Sequence, residues 1–206
     1  MAEARQVAGS WMTVEEALAE IAKDQVFFDE SGGGVTLSGG EPLMQAAFVE
    51  ALLDACHERR IHVAIDTCGH VPREKLQRIS RKADLFLFDL KLIDSALHKR
   101  YTGASNELIL SNLQFLAREQ KSIIVRVPLV PGVTDSRDNL EGIRNLLLRM
   151  GLRRVDLLPY HEIGVGKYPK LQMGYRLHGL KPPPSEEVQG IFQQLSEDGF
   201  AVRIGG

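Results

Sequence analysis

Several polar residues stand where short apolar runs end or are interrupted. Ser38-Gly39-Gly40-Glu41-Pro42 closes the run Val35 to Leu37, which Gly32-Gly33-Gly34 precedes. Glycine lets a backbone turn through positive φ or approach a ligand closely. The stretch reads either as a βα turn with spare glycine or as a backbone cradle for the polar end of a small ligand, with Glu41 just beyond it. Asp66 follows Ile61 to Ile65, Asp89 and Lys91 close the run from Asp84, Arg126 interrupts Ser122 to Pro128, and His161 follows Val155 to Pro159. Two carboxylates aimed at one spot need a cation or a proton between them. Fixed Lys and Arg charges in a water-poor mouth suit an anionic group. Each residue also has a plain structural reading: Asp66 and Asp89 as helix caps, Lys91 and Arg126 as ion-pair partners of those aspartates, and Tyr160 as a packing residue. For the whole set, capping alone is a poor explanation.

The elements that must position these residues follow from periodicity. Thr13-Val14-Glu15-Glu16 fits a capping box, and Leu18, Ile21, Ala22 and Val26 continue at helical spacing. Further helices are predicted at about 43–59, from Pro72, at 106–119, 138–150 and 186–198, with Pro72 suited to a first turn. Strands are predicted at 35–37, 61–65, 84–91, 122–128, 155–159 and 200–204, with 84–91 apolar enough to be buried on both faces. Strands alternating with helices call for parallel βαβ units. In such a fold the strands' carboxyl ends converge on one mouth, where Ser38 to Glu41, Asp66, Asp89 with Lys91, Arg126 and His161 would meet. Residues 162–184 form the one long irregular stretch, a candidate lid or docking loop.

With 206 residues the chain fits a single domain, and a net charge of -2 gives no basic excess to suggest a nucleic-acid or anionic-membrane partner. No export signal or apolar span is visible, so the cytoplasm is the expected location. Cys56 and Cys68 form no C-x-x-C and read as reduced thiols.

Taken together, these stretches closely resemble the activating enzymes of glycyl-radical enzymes, within the radical S-adenosylmethionine superfamily. The matching residues are Ser31 to Pro42, Asp66-Thr67-Cys68-Gly69, Asp89-Leu90-Lys91, Arg126 with Pro128 and Pro131-Gly132, and Leu157-Leu158-Pro159-Tyr160-His161 with Gly164 and Lys167-Tyr168. They run in order from about residue 13 to the end. The resemblance implies an α/β fold, a partial (β/α)6 TIM-like barrel of parallel strands spanning 13–206. It also implies that Ser38, Gly39, Gly40, Glu41, Asp66, Lys91, Arg126 and His161 bind S-adenosylmethionine. Asp66, Thr67, Leu87 and Asp89 would hold a monovalent cation beside its carboxylate. The implied reaction is reductive cleavage of S-adenosylmethionine to a 5′-deoxyadenosyl radical, which removes a hydrogen from one glycine of a partner glycyl-radical enzyme. A flavodoxin or ferredoxin-type protein would donate the electron.

The chain departs from that family in one respect. Members carry a C-x-x-x-C-x-x-C loop whose thiolates hold a four-iron, four-sulfur cluster, and neither Cys56 nor Cys68 lies before the Gly-Gly-Glu strand. Residues 1–12 resemble the tail of a ferredoxin-like insert. The chain is therefore expected to lack the front part of a longer activating enzyme, including the first strand and cluster loop, and to be inactive alone. The exposed strand edge predicts an oligomeric or poorly soluble chain. Two other readings stay open: a non-catalytic module that binds S-adenosylmethionine or docks on a partner, and a metal-independent barrel enzyme using Asp66, Asp89 and Lys91.

Overall fold

The apolar runs become the strands of one parallel sheet in the computed structural model, which describes residues 10–161 and 179–205. Its strands are β1 (Gly34–Leu37), β2 (His62–Thr67), β3 (Leu85–Asp89), β4 (Ile123–Leu129), β5 (Arg154–Pro159) and β6 (Ala201–Ile204), hydrogen-bonded in chain order. Every neighbouring pair is parallel, and β1 and β6 end the sheet without pairing to each other, so the barrel is partial and open. Helices α1 (Val14–Ile21) and α2 (Gln25–Ser31) precede β1, and between the strands run α3 (Ala46–Glu58), α4 (Arg73–Ser80), α5 (Ser95–Thr102), α6 (Glu107–Arg118), α7 (Arg137–Met150) and α8 (Ser185–Glu197).

Strand periodicity sorts the side chains onto two faces. On β3, Phe86 and Phe88 are fully buried against the helices, whereas Leu85, Leu87 and Asp89 are only half-buried. The expectation that this strand is covered on both faces is therefore corrected: its second face looks onto the open, concave side of the sheet. The same alternation recurs on β4 and β5, where Val125, Val127, Val155 and Leu157 enter the core and Arg126 and Asp156 take the other face. One core results, between the sheet's convex face and the helices.

Local chemistry explains most boundaries. The capping box at Thr13 forms, with the Thr13 hydroxyl accepting from the Glu16 amide at 3.2 Å and the Glu16 carboxylate accepting from the Thr13 amide at 2.8 Å. The helix it starts is not continuous: a 3-10 turn at Ala22–Asp24 separates α1 from α2. The predicted helix at 43–59 likewise opens as a 3-10 turn, Pro42–Gln45, and becomes α-helical at Ala46. Pro72 is the N-cap of α4 rather than part of its first turn. Helix α5 has no counterpart in the sequence reading, although Asp94 caps its start and left-handed Gly103 its end. Substituting Thr13 by Ala removes one cap, costing about 1 kcal/mol. Calorimetry should find the melting temperature about 2–4 °C lower; no change would place α1 outside the cooperative unit. No helix among the described residues is long and apolar enough to cross a membrane. Residues 1–9 and most of the 162–184 stretch lie outside the described residues.

Candidate active site

The Gly-Gly-Glu turn leaves β1 with two glycines in left-handed conformation, Gly39 at φ 87° and Gly40 at φ 62°. A side chain there would be strained, yet a Cβ at either position would meet nothing within 4 Å. The backbone of this turn therefore borders open space. Glu41 does the opposite. Its carboxylate turns inward and accepts from the Leu43 amide (3.2 Å), the Thr67 hydroxyl (2.7 Å), and the Cys68 amide (3.1 Å) and thiol (3.2 Å). It thereby ties the turn after β1 to the end of β2, where buried Thr67 also accepts from the Gly69 amide at 2.9 Å.

A contiguous set of polar contacts crosses the mouth from there. The Ser38 hydroxyl donates to Asp66 at 2.9 Å. Arg126 donates from Nε to Asp89 at 2.9 Å and from Nη2 to Asp66, and Nη2 also forms an ion pair with Asp89 at 2.8 Å. Lys91 stands 3.8 Å from the other Asp89 oxygen. Register accounts for this convergence, since Asp89 pairs with Arg126 and Asp66 with Leu87 on adjacent strands. Arg126 does not lie at the carboxyl end of its strand, as the sequence suggested, but in the middle of β4. Its long side chain covers the remaining distance. The ion-pair reading of Arg126 is the one the geometry describes: a guanidinium sits between the two carboxylates. His161 is exposed just past β5 and makes no hydrogen bond among the described residues.

Beside Lys91 the mouth continues into a cleft of about 240 Å³ lined by Cys68, His70, Asp89, His98 and Thr102. Burial is the main cause that pushes the Cys68 thiol above its ordinary range, with the Glu41 carboxylate adding to it. Cys56 is fully buried in α3, where burial likewise raises its thiol. Neither is a poised thiolate, and among the described residues no group of three His, Cys, Asp or Glu could hold a metal ion.

Sequence reasoning missed Asp156. It lies in β5, pairs in register with Arg126 and is only 7% exposed. Burial raises its carboxyl above the usual range, partly offset by Arg203, Arg126 and Arg154. A raised folded value means the native state holds the proton more tightly than the unfolded chain. Its contribution to stability is therefore present at acid pH and lost as pH rises through the folded value. Asp156→Asn should flatten the pH dependence of the melting temperature just above the ordinary aspartate range. An unchanged profile would show that other groups govern that window.

A family model described as the radical SAM superfamily matches residues 3–142. The trans-4-hydroxy-L-proline dehydratase activating enzyme of Clostridioides difficile is 41% identical over 98% of this chain and 68% of its own length. This chain belongs to the radical SAM superfamily, among its glycyl-radical enzyme activating enzymes. The choline trimethylamine-lyase activating enzyme of Oleidesulfovibrio alaskensis is 44% identical over 96% of the chain, which spans 65% of that relative's length. Among solved structures, a domain of pyruvate-formate lyase-activating enzyme from Bacteroides vulgatus superposes with a TM-score of 0.71 at 31% identity, covering 84% of this chain and 99% of that one. Streptococcus suis SuiB, crystallised with its precursor peptide SuiA, has a TM-score of 0.72 over 96% of this chain and 43% of its own, but at 15% identity it speaks only to the fold. Within the radical SAM frame, the polar mouth lies where α/β barrels keep their sites.

Proposed function

We propose that this chain is the S-adenosylmethionine-holding barrel of an activating enzyme that reductively cleaves S-adenosylmethionine and uses the product to remove a hydrogen from a glycine of a partner protein. The observation carrying this reading is the single run of contacts from Ser38 through Asp66, Arg126 and Asp89 to Lys91, set beside two left-handed glycines facing open space. A sulfonium amino acid presents an ammonium and a carboxylate side by side. The Gly39-Gly40-Glu41 backbone suits the ammonium, since no side chain blocks its approach. Lys91 and Arg126 suit the carboxylate, and His161 would contact the carboxylate or ribose.

Asp66, Thr67, Leu87 and Asp89 remain the residues that would hold a monovalent cation. The guanidinium of Arg126 already neutralises the two aspartates, so cation and Arg126 compete for them. Arg126 turning to the ligand's carboxylate would release that pair. Affinity for S-adenosylmethionine should then rise when sodium or potassium replaces a bulky organic cation at constant ionic strength. Equal affinities in both salts would remove the cation from this site.

An iron–sulfur cluster supplies the electron in radical SAM chemistry, and it does not fit the residues described here. Cys56 is sealed in α3, and Cys68 is hydrogen-bonded to Glu41. The reductive step is therefore assigned to the whole protein rather than to this chain. That same observation supports a second reading, in which the chain binds S-adenosylmethionine or docks on a partner without chemistry. Two measurements test these readings. Calorimetric titration of the chain with S-adenosylmethionine should show saturable binding, and its absence would defeat both. The full-length protein, supplied with iron, sulfide and reductant, should form 5′-deoxyadenosine; if it forms none, only the binding reading survives.

A further inference from the structure

Lys91, Leu92 and Ile93 follow β3 as irregular backbone, outside any helix or strand. Two asparagine side chains give this segment the bonds that a neighbouring strand would otherwise give. Asn139, in the first turn of α7, donates from Nδ2 to the Lys91 carbonyl at 3.0 Å and accepts at Oδ1 from the Ile93 amide at 2.9 Å. The same Nδ2 donates to the Thr134 carbonyl at 2.7 Å. The Thr134 hydroxyl in turn accepts from the Val130 amide at 2.8 Å and donates to the Pro128 carbonyl. Asn106, the N-cap of α6, donates to the Leu92 carbonyl at 2.9 Å and to the Ile93 carbonyl at 2.7 Å. Both asparagines are buried. The partners of Asn139 are backbone groups of fixed polarity, so only one orientation of its amide satisfies all three. Gly142, one turn further along α7, lets Ile93 pack closely on the helix, since a Cβ there would lie 3.3 Å from Ile93 Cγ1.

Buried backbone groups need partners, and a hydroxyl or a water would satisfy any one of these. An amide that reaches residues 91 and 93 together does more. It fixes the course of the three residues, and with it the direction in which the Lys91 side chain leaves the backbone. The far end of that side chain is held only weakly: it is 38% exposed, and its ammonium stands 3.8 Å from Asp89, beyond direct hydrogen-bond distance. A lysine gives up much rotamer freedom when it is ordered, and fixing its root beforehand reduces that loss on binding. We propose that Asn139 is a positioning residue of the mouth, acting through Lys91 to hold its ammonium where the carboxylate of an amino-acid ligand lies. Through Thr134 it also joins the loop after β3 to the loop after β4, so the two are set as one unit. The ligand rests on the reading given under Proposed function; the brace itself does not.

The test is a double-mutant cycle of Asn139→Ala and Lys91→Met, read by calorimetric titration with S-adenosylmethionine. Alanine leaves room for water to take over the three bonds; if that variant does not melt cooperatively, Asn139→Ser takes its place in the cycle. The asparagine variant should bind about tenfold more weakly than wild type, the low end for groups that orient a binding side chain from behind. In the Lys91→Met background the same change should cost about twofold or less. An equal loss in both backgrounds would mark a general structural effect and overturn the proposal, as would wild-type affinity in the single variant. A second readout needs no ligand. In the chain labelled with 13C at lysine, the two Lys91 Hε protons should give separate signals in wild type, as in an ordered side chain, and merge in the asparagine variant. Signals that stay separate in the variant, or are already merged in wild type, would overturn the proposal. If wild type binds no S-adenosylmethionine while the signals merge only in the variant, the reading of the mouth falls and the brace stands.

Discussion

Replacing Arg126 with Met should lower the melting temperature by about 4–16 °C and abolish detectable binding of S-adenosylmethionine. Methionine keeps the apolar stem and removes the guanidinium. Arg126 is 16% exposed in its side chain and its partners Asp66 and Asp89 are 20% and 22% exposed, so all three charges are largely withdrawn from water. Removing one member of a buried ion pair typically costs about 3–5 kcal/mol, because the other charge is left uncompensated. Partial solvent access here reduces that to about 2–4 kcal/mol. For a chain of this size each kcal/mol moves the midpoint by about 2–4 °C. Arg126→Lys keeps a charge without the fork and should fall between the two. Scanning calorimetry of the three proteins at neutral pH measures this. A methionine variant as stable as wild type at neutral pH would mean that the three-residue cluster contributes nothing to the fold.

Gly34→Ala is the other change with a large expected effect, and its cause is steric. A Cβ at Gly34 would lie 2.0 Å from the His62 carbonyl oxygen and 2.7 Å from its carbon, both backbone atoms that cannot step aside. Strand β1 would have to leave β2, breaking the register from Gly34 opposite His62 to Leu37 opposite Ile65. We expect a loss of about 3–5 kcal/mol, in the severe tail for single substitutions. The melting temperature should drop by about 6–20 °C. Because β1 carries Ser38 and the glycine turn, ligand binding should vanish with it. Gly39→Ala and Gly40→Ala are the informative contrast. Nothing lies within 4 Å of a Cβ at either position, so each costs only the left-handed strain of about 1–2 kcal/mol. They should stay folded while losing affinity for S-adenosylmethionine. If Gly34→Ala melted like wild type, the β1–β2 pairing described here would be wrong.

How far such features were readable in the sequence depended on whether a residue's type settled its environment. The strands were legible because Val, Ile, Leu and Phe runs end at glycine or charge, and those stops are physical. The parallel order followed from the intervening helices. Burial on β3 was not legible: Leu serves both faces, so Leu85 and Leu87 look the same in sequence as Phe86 and Phe88 look buried. Helix α5 escaped because it is short and buries only His98, leaving its caps as the signal. At the site, Asp66, Asp89 and Arg126 were visible as charges interrupting apolar runs. Their mutual pairing was one of two open readings, since a cation and a guanidinium satisfy two carboxylates equally well on paper. Asp156 gives the same signal as Arg126, but a lone acid near the start of a strand reads as an edge residue until register places it beside Arg126.

The gap between β1 and β6 has a consequence for traffic. A closed eight-stranded barrel fills its interior with its own side chains and admits a ligand only along its axis. The six strands described here do not meet, so this sheet is a trough rather than a closed tube. A bent loop of a folded protein can be laid into a trough sideways and lifted out again, with no chain end to thread and no strand to part. Exposed Arg203 stands on β6 at that open side and places a positive charge there.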